Sequence, residues 1–206
     1  IPGAMFMMTS KTLIKSHAES GLAVNDVFTQ VNAQLCENNE AGMFVTAWMG
    51  ILDLETGLIR YANAGHNPPV VRHKDGSYEY LKGRANFVLA GMEGVRYKEQ
   101  QLQLQQGDEI YLYTDGVTEA HNVDKQLFGE DRLLVSLNET AGMTVDEICR
   151  KVKADVDAFQ GEAEQFDDIT MLCVRLSEVE NKMLSVTPTM ETVSQVAAFV
   201  EEHLEK

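Results

Sequence analysis

The 206-residue sequence predicts an α+β domain built in layers. Three observations support this prediction. Apolar residues recur at helical spacing up to residue 38, short runs of strand-forming residues separated by turns fill residues 43–114, and helical spacing returns after residue 129 before one last strand. A content of 44% hydrophobic and 24% charged residues is ordinary for a globular protein, and the length is enough for one domain with part of another.

Two helices are predicted at the N-terminus. Residues 4–20 carry apolar side chains at helical spacing without an internal proline or glycine, and Gly21 is the predicted stop. Residues 24–38 repeat the pattern with a second apolar stripe, which consists of Val24, Val27, Val31 and Leu35.

The middle of the sequence predicts a series of strands. Residues 43–57 are rich in Phe, Val, Thr, Trp and Ile and indicate a long buried strand that ends in a Glu-Thr-Gly turn. Two more strands flank the Gly-His-Asn-Pro-Pro turn at 65–69, and the Asp-Gly step at 75–76 indicates a hairpin. Further short strands are predicted at 87–90, 97–104 and 109–114.

The helical period returns in the C-terminal part. Thr144 and Glu147 have the spacing of a capping box, and an apolar face follows at Ile148, Val152, Val156 and Phe159. A strand over 168–176 closes this unit. The predicted domain covers residues 1–178, and residues 179–206 are predicted to form a linker followed by a strand and an amphipathic helix.

Charge and cysteine content exclude some classes of function. A net charge of −15 argues against nucleic-acid binding, which depends on clustered Lys and Arg. An acidic composition usually serves solubility alone, and the alternative is that some carboxylates hold divalent cations. Three scattered cysteines are too few for a disulfide framework or a zinc site, so we expect them to be reduced and buried in a cytoplasmic protein.

Two acidic points lie at the ends of predicted strands. Asp115 and Gly116 follow the strand at 109–114, and Asp167 and Asp168 begin the last strand. A glycine lets the backbone turn sharply and approach a bound group. If the fold brings the carboxylates together, a hard divalent cation would relieve their repulsion, and oxygen ligands suit Mg²⁺ or Mn²⁺. Spacing alone leaves the plainer alternative open, because Asp-Gly pairs are commonly turns.

Four segments carry a family resemblance: "MFVTAWMGILDLETGLIRYANAGHNPPVV", "GDEIYLYTDGVTEAHN", "LFGEDRL" and "FDDITMLCVRL". In order and spacing they resemble the SpoIIE-type branch of the metal-dependent (PPM) serine/threonine phosphatases over residues 1 to about 177. The resemblance implies an αββα sandwich, in which two antiparallel sheets pack together with helices outside. It also implies two Mn²⁺ or Mg²⁺ ions and hydrolysis of phosphoserine or phosphothreonine, typically in a phosphorylated anti-sigma-factor antagonist of a bacterial partner-switching pathway.

The resemblance also assigns site residues. Asp115 and Asp167 match metal ligands of the family, whereas Gly116 and Asp168 are expected beside the ions rather than bound to them. No protein side chain is expected to act as the nucleophile. Two ions that share a carboxylate would lie about 4 Å apart and activate a water that attacks phosphorus in line.

The family pattern contains a segment that this sequence does not include. In the family, an aspartate and a Gly-Asp-x-x-Gly-x-Gly motif precede the helix that begins here with "IPGAMFMM", and they supply bridging metal ligands. Because the sequence starts at Ile1, we expect a fragment of a longer protein that has an upstream sensor domain, and we expect the fragment to be inactive. Membrane anchoring of the longer protein through upstream segments and formation of a homodimer are left open.

Two further regions are assigned by the same resemblance. The helices over 4–20 and 24–38 correspond to switch elements in relatives. Residues 183–206 are similar to the opening strand and helix of an anti-sigma-type ATPase domain, with a plain C-terminal helix as the alternative.

Other conspicuous residues are given structural interpretations. His66 is interpreted as a turn residue rather than a catalytic one, and Glu119 and Asn122 as parts of a solvated loop. Three methionines of the first helix are interpreted as helix core rather than as a groove for a partner: Met5, Met7 and Met8. Two other functions stay open, a non-catalytic module that binds a phosphoprotein or sigma-factor regulator and a metal-dependent hydrolase of small phosphate esters.

Overall fold

The computed structural model of the protein describes residues 2–37, 39–74 and 76–177. Their elements follow the predicted order, with two helices, six strands, three helices and a last strand. None of the helices in these ranges combines the length and the apolar content that crossing a bilayer requires. The strand and helix predicted in the C-terminal tail lie outside the described residues, so the domain boundary at 178 stays a prediction.

The first two helices confirm the predicted pair. Helix α1 spans Pro2–Glu19, and the chain turns at Gly21, whose φ of 80° lies in the left-handed region that glycine adopts without strain. Helix α2 spans Val24–Cys36. Its predicted stripe is buried at all four positions, which are Val24, Val27, Val31 and Leu35. This face packs on the first sheet, so α2 covers that side of the fold.

The methionines of α1 do not lie in the core, contrary to the prediction. Three of them are 59–65% exposed: Met5, Met7 and Met8. Helix α1 packs against α2 and adds Phe6, Leu13 and Ile14 to the same apolar cluster. A helix covered on one side leaves the apolar residues of its other side in solvent, and residue spacing does not tell which side is covered.

The strands form two antiparallel sheets. The first has the order β1-β2-β5, with β1 at Ala47–Leu52, β2 at Leu58–Ala64 and β5 at Gln100–Gln103. The second has the order β4-β3-β6-β7, with β3 at Val70–Arg72, β4 at Tyr78–Tyr80, β6 at Glu109–Tyr113 and β7 at Met171–Arg175. The β3–β4 hairpin confirms the prediction from the Asp-Gly step. The turn at 65–69 joins β2 to β3 and so carries the chain from one sheet to the other.

Several strands differ from their predicted extents. The strand predicted over 97–104 is limited to β5, Gln100–Gln103. The strand predicted over 43–57 is limited to β1, whose residues are half-buried or exposed rather than buried. Residues 87–90 contribute a single bridge between Leu89 and Val45 instead of a strand. The last strand begins at Met171 rather than at 168. Strand composition does not set strand length, because a strand extends only as far as the neighbour that it pairs with.

Three helices complete the domain, namely α3 (Asp115–Thr118), α4 (Gly129–Asn138) and α5 (Val145–Gln160). The predicted capping box is present at the start of α5. The Thr144 N–H donates to the Glu147 carboxylate at 2.8 Å, and the Glu147 N–H donates to the Thr144 hydroxyl at 3.3 Å. Such a cap pairs N–H groups at the helix start that have no partner within the helix. The predicted apolar face is confirmed as well, with Ile148, Val152 and Val156 buried and Phe159 packed beside them.

Successive side chains along the strands point to opposite faces of each sheet and so belong to different apolar layers, of which there are three. On β6, Ile110 and Leu112 lie between the two sheets, whereas Tyr111 and Tyr113 lie against α4 and α5. Residues of β2 alternate in the same way between the inter-sheet layer and the layer under α2. The layers are therefore helix, sheet, sheet and helix, which confirms the αββα sandwich.

A buried carboxylate ties three strands of the second sheet together. Glu109 on β6 is fully buried and lies opposite Arg72 of β3 and Arg175 of β7. Its Oε1 accepts hydrogen bonds at 2.5 Å from Arg72 and at 2.6 Å from Arg175, and the Tyr78 hydroxyl donates to Oε2. Burial and this last hydrogen bond raise the pKa of Tyr78, which keeps its hydroxyl a donor. The two guanidinium groups offset the desolvation of the buried charge.

Candidate functional site

Asp115 lies where the central strand β6 gives way to the short helix α3. Strand β6 is held between β3 and β7, and Thr114 continues it with φ of −87° and ψ of 161°. Asp115 is the first residue of α3 and is exposed at this end of the sheet. The chain then closes one helical turn, in which the Glu119 N–H donates to the Asp115 carbonyl at 2.7 Å. The strand therefore positions the backbone of Asp115 and leaves its carboxylate accessible.

Thr114 joins the end of β6 to the segment that carries the other two aspartates. The Thr114 N–H donates to the carbonyl of Thr170, and the Thr170 N–H donates to the Thr114 hydroxyl, both at 3.0 Å. The same hydroxyl donates to the carbonyl of Asp168 at 3.1 Å, across 54 positions of sequence. The two acidic segments are therefore neighbours at one end of the second sheet.

Gly116 lies directly against the segment that carries Asp167 and Asp168. Its φ lies outside the left-handed region, so no special backbone angle requires glycine here. A Cβ at this position would lie 2.4 Å from the carbonyl oxygen of Asp168 and 3.4 Å from that of Asp167. Glycine therefore makes room for another segment of the protein's own backbone.

Asp167 and Asp168 lie in the loop before β7 rather than in the strand. The Asp168 N–H donates to Oδ1 of Asp167 at 2.7 Å, and Gln165 Nε2 donates to the Asp167 carbonyl at 2.9 Å. Both aspartates are exposed. Local hydrogen bonds thus shape the loop while both carboxylates remain accessible to a ligand.

A cavity of about 430 Å³ opens beside Thr114 and Thr170. Trp48 and Gly50 of β1 line one side and Leu172 of β7 lines another. In the described sheets, β1 and β7 are both edge strands, so the sandwich is open along this side.

His66 has the predicted turn role and also borders this cavity. Its N–H donates to Oδ1 of Asn63 at 2.7 Å, and Asn63 Nδ2 donates back to the His66 carbonyl at 2.8 Å. Burial lowers the pKa of His66, and the negative charge of Asp115 opposes this shift. The lowered pKa favours the neutral imidazole of His66. A neutral imidazole can accept a hydrogen bond or bind a cation through its unprotonated nitrogen. A lone histidine before a proline turn gave no sequence signal for this location.

The loop after α3 agrees with the solvated interpretation. Glu119 is exposed. Oδ1 of Asn122 accepts hydrogen bonds from the N–H groups of Asp124 at 3.1 Å and Gln126 at 2.9 Å. Asn122 therefore holds the turn in which it lies.

The donors at this end of the sheet suit a hard cation. Carboxylate oxygens from two segments are ligands that Mg²⁺ and Mn²⁺ prefer. Among residues 2–37, 39–74 and 76–177, however, no group of three or more His, Cys, Asp or Glu side chains is arranged to hold a metal ion. The described residues thus offer part of a ligand set. The assignment of Asp115 and Asp167 as ligands, with Gly116 and Asp168 beside them, stays a prediction.

Known proteins resemble this chain over most of its length. The family model described as Stage II sporulation protein E (SpoIIE) matches residues 1–177. Protein IcfG of Synechocystis sp. is 33% identical over 139 residues, which are 67% of this chain and 22% of IcfG. The phosphoserine phosphatase RsbU of Bacillus subtilis is 27% identical over 176 residues, which are 85% of this chain and 52% of RsbU. The chain thus spans about half the length, or less, of these curated relatives.

Solved structures share the fold. The PP2C domain of SiaA from Pseudomonas aeruginosa superimposes with a TM-score of 0.72 at 23% identity, covering 85% of this chain and 70% of that one. The manganese-soaked phosphatase domain of SpoIIE from Bacillus subtilis gives a TM-score of 0.58 at 16% identity, covering 84% and 76%. At these identities the likeness concerns the fold, which is the layered sandwich of PP2C-type phosphatase domains.

Proposed function

This chain belongs to the SpoIIE family, as the match over residues 1–177 shows, and on this premise we propose that it is part of a metal-dependent protein phosphatase. The substrate is phosphoserine or phosphothreonine in a regulatory protein. One relative is named a phosphoserine phosphatase, which supports this class of activity. The observation that carries the proposal is the convergence of Asp115 with Asp167 and Asp168 at one end of the sheet.

In this proposal the bound ions and the residues of the site have separate roles. Bound Mn²⁺ or Mg²⁺ supplies stabilisation of charge on the phosphoryl group and activation of a water. Asp115 holds a cation from the end of β6, and Asp167 does so from the loop before β7. Thr114 and Gly116 keep these two segments in register through the contacts described above.

The cysteines support a route without a protein nucleophile. In the described residues all three are free thiols, with Cys173 buried and Cys36 and Cys149 half-buried, so the expectation of buried cysteines holds fully for one of them. Burial raises the pKa of each thiol, and that of Cys173 to about 12. A protonated thiol is a poor nucleophile, so a covalent cysteine mechanism is disfavoured.

A wider setting belongs to the same proposal. The substrate we propose is a phosphorylated anti-sigma-factor antagonist in the bacterial cytoplasm, dephosphorylated under control of an upstream sensor. RsbU, which is named a phosphoserine phosphatase and matches 85% of this chain, supports the phosphoserine chemistry of this proposal.

Substitution of the two candidate ligands tests the function. In the full-length protein, Asp115→Asn and Asp167→Asn should each abolish Mn²⁺-dependent release of phosphate from a phosphoserine protein, while the circular dichroism spectrum stays unchanged. Asp124→Asn, an exposed aspartate on the loop after α3, is the matched control and should retain activity. Full activity in either ligand variant would contradict the assignment.

A second candidate is a binding module that does not hydrolyse its phosphoprotein. The partial ligand set among the described residues favours it for the 206-residue chain by itself. Calorimetric titration with Mn²⁺ should then show weak or single-site binding. Tight binding of two ions would instead show that these residues suffice for a complete site. A panel of small phosphate esters, tested on the full-length protein, separates a general phosphoesterase from a protein phosphatase.

A further inference from the structure

The loop after α3 and the loop before β7 together present large apolar side chains to solvent. Leu127 is 53% exposed and Phe166 is 67% exposed, and both line an open pocket of about 430 Å³ together with His121. The rings of His121 and Phe166 meet edge to face with their centroids 5.8 Å apart. Adjoining apolar side chains on the surface of a globular domain commonly mark a binding site.

Contacts within the loop after α3 order its backbone. His121 and Leu127 pair as a β-bridge, and the Asn122 side chain accepts the two N–H groups described above. Lys125 has a φ of 59°, a conformation that costs on the order of 1–3 kcal/mol for a residue with a side chain and needs surrounding contacts to persist. A loop that is already ordered loses little conformational entropy on binding. Contacts with its exposed apolar groups therefore contribute more of their free energy to the affinity.

The pocket adjoins the candidate metal site. Phe166 directly precedes Asp167, and Glu119 of the pocket wall donates its N–H to the carbonyl of Asp115. One helical turn rises about 5.4 Å, so the pocket lies on the order of one turn from the acidic residues. An extended peptide advances about 3.3 Å per residue. A phosphoserine at the acidic residues would therefore place a side chain two or three positions away over Leu127 and Phe166.

The charge at the rim suits the same occupant. Lys125 and Glu119 both line the pocket, so its wall is locally neutral in a chain whose net charge is −15. An acidic surface repels a phosphorylated segment, and a local ammonium group reduces that repulsion where the segment passes. An apolar floor with a locally neutral rim next to the acidic residues fits a phosphopeptide whose apolar residue is close to its phosphoserine.

We propose that His121, Leu127 and Phe166 form a docking pocket for the phosphoprotein substrate. The pocket receives a bulky apolar side chain two or three residues from the phosphoserine. This inference rests on the proposed phosphatase function and makes the pocket a determinant of substrate choice rather than of the hydrolysis itself.

The test compares two synthetic phosphoserine peptides by NMR. One carries leucine three residues before and three residues after the phosphoserine, and the other carries alanine at both positions. In titrations of the ¹⁵N-labelled 206-residue chain, the leucine peptide should shift the amides of His121, Leu127 and Phe166 and bind about fivefold to tenfold more tightly. Leu127→Ala or Phe166→Ala should remove this preference. Val123→Ala changes an apolar residue of the same loop that is 68% exposed outside the pocket, and it should keep the preference.

Two results would overturn the docking pocket. One is equal affinity for both peptides, or a preference that survives both pocket substitutions. The other is a shift of the same amides when the chain alone is diluted, because that result assigns the pocket to a second copy of the chain.

Hydrolysis separates this inference from the function on which it rests. In the Mn²⁺-loaded full-length protein, Leu127→Ala and Phe166→Ala should lower kcat/KM for the leucine peptide and leave hydrolysis of p-nitrophenyl phosphate unchanged. An equal loss on both substrates would contradict a docking role. A retained peptide preference without hydrolysis of any ester would refute the phosphatase function and support the pocket.

Discussion

The hydroxyl of Thr114 donates a hydrogen bond to the main-chain carbonyl of Asp168 at 3.1 Å. Two further bonds link Thr114 to Thr170, one through each N–H group. Together they attach the end of β6 to the loop before β7 through main-chain groups and one hydroxyl. The carboxylates of Asp115 and Asp168 take no part in these bonds, so the junction forms without consuming the groups that would bind a cation.

Replacement of Thr114 by valine tests this junction. The Thr170 N–H and the Asp168 carbonyl would each lose a partner, so the free energy of unfolding should fall by about 1–2 kcal/mol in urea titrations. Mn²⁺-dependent phosphate release by the full-length protein should fall at least about tenfold, because small displacements of positioned groups are costly in rate. Thr114→Ser keeps the hydroxyl and should stay close to the wild type. Unchanged stability and activity in Thr114→Val would contradict the role of the hydroxyl.

Gly116→Ala should destabilise the chain by about 1–3 kcal/mol, as overpacking does elsewhere. The added Cβ would lie 2.4 Å from the Asp168 carbonyl oxygen, which belongs to backbone that has little freedom to shift. Gly3→Ala is the control, because no atom lies within 4 Å of its Cβ position in helix α1. Alanine there should be neutral or stabilising by about 0.5–1 kcal/mol. Thermal and urea unfolding of the 206-residue chain measure both, and an unchanged stability in Gly116→Ala would contradict the packing argument.

Glu109→Gln should be among the most damaging single substitutions. It removes the charge that Arg72 and Arg175 share inside the sheet, and an uncompensated buried charge typically costs about 3–5 kcal/mol. Glu79→Gln on strand β4 removes an exposed carboxylate and should change the stability little. Comparable losses in the two variants, measured by urea unfolding, would show that the buried ion cluster contributes no more than a surface charge.

From the hydrogen bonds of Asp108 we expect the folded protein to lose stability in acid. Its buried carboxylate accepts hydrogen bonds from His73 Nδ1 at 2.7 Å, the Lys74 N–H at 2.8 Å and the Gln105 N–H at 2.9 Å. Burial alone would raise the pKa of Asp108, but these hydrogen bonds outweigh it and lower the pKa below its ordinary value of 3.8. Because the folded pKa is the lower one, the stabilisation is complete above the unfolded pKa of about 3.9 and is lost as the pH falls through the folded pKa.

Urea titrations between about pH 6 and pH 2 check this expectation. Asp108→Asn should be less stable at neutral pH and should show a flatter decline of stability in acid. Asp124→Asn, which changes an exposed aspartate, should decline as the wild type does. A wild-type acid slope in Asp108→Asn would assign the decline to other carboxylates.

Local pattern accounted for much of the fold. The apolar spacing predicts most of the buried face of α2 and of α5, because apolar residues three or four apart share a helix face that is then buried. It does not include Phe28, which is also buried in α2. The capping box at Thr144 and Glu147 is equally local. Strand limits were less accurate, as the difference between 43–57 and Ala47–Leu52 shows, because the length of a strand depends on a partner elsewhere in the chain.

The candidate site also combines features that local sequence predicts with features that depend on tertiary contacts. The residue types and their places beside strands made Asp115 and Asp167 candidates from sequence, since carboxylates at strand ends are suited to hard cations. Their proximity depends on β7 pairing with β6 in the second sheet, and no spacing along the chain encodes that pairing. The need for glycine at 116, the place of His66 near Asp115 and the exposure of Met5 arise in the same way. Each depends on which distant segment packs alongside, and such contacts are formed by the layers of the fold rather than by neighbours in sequence.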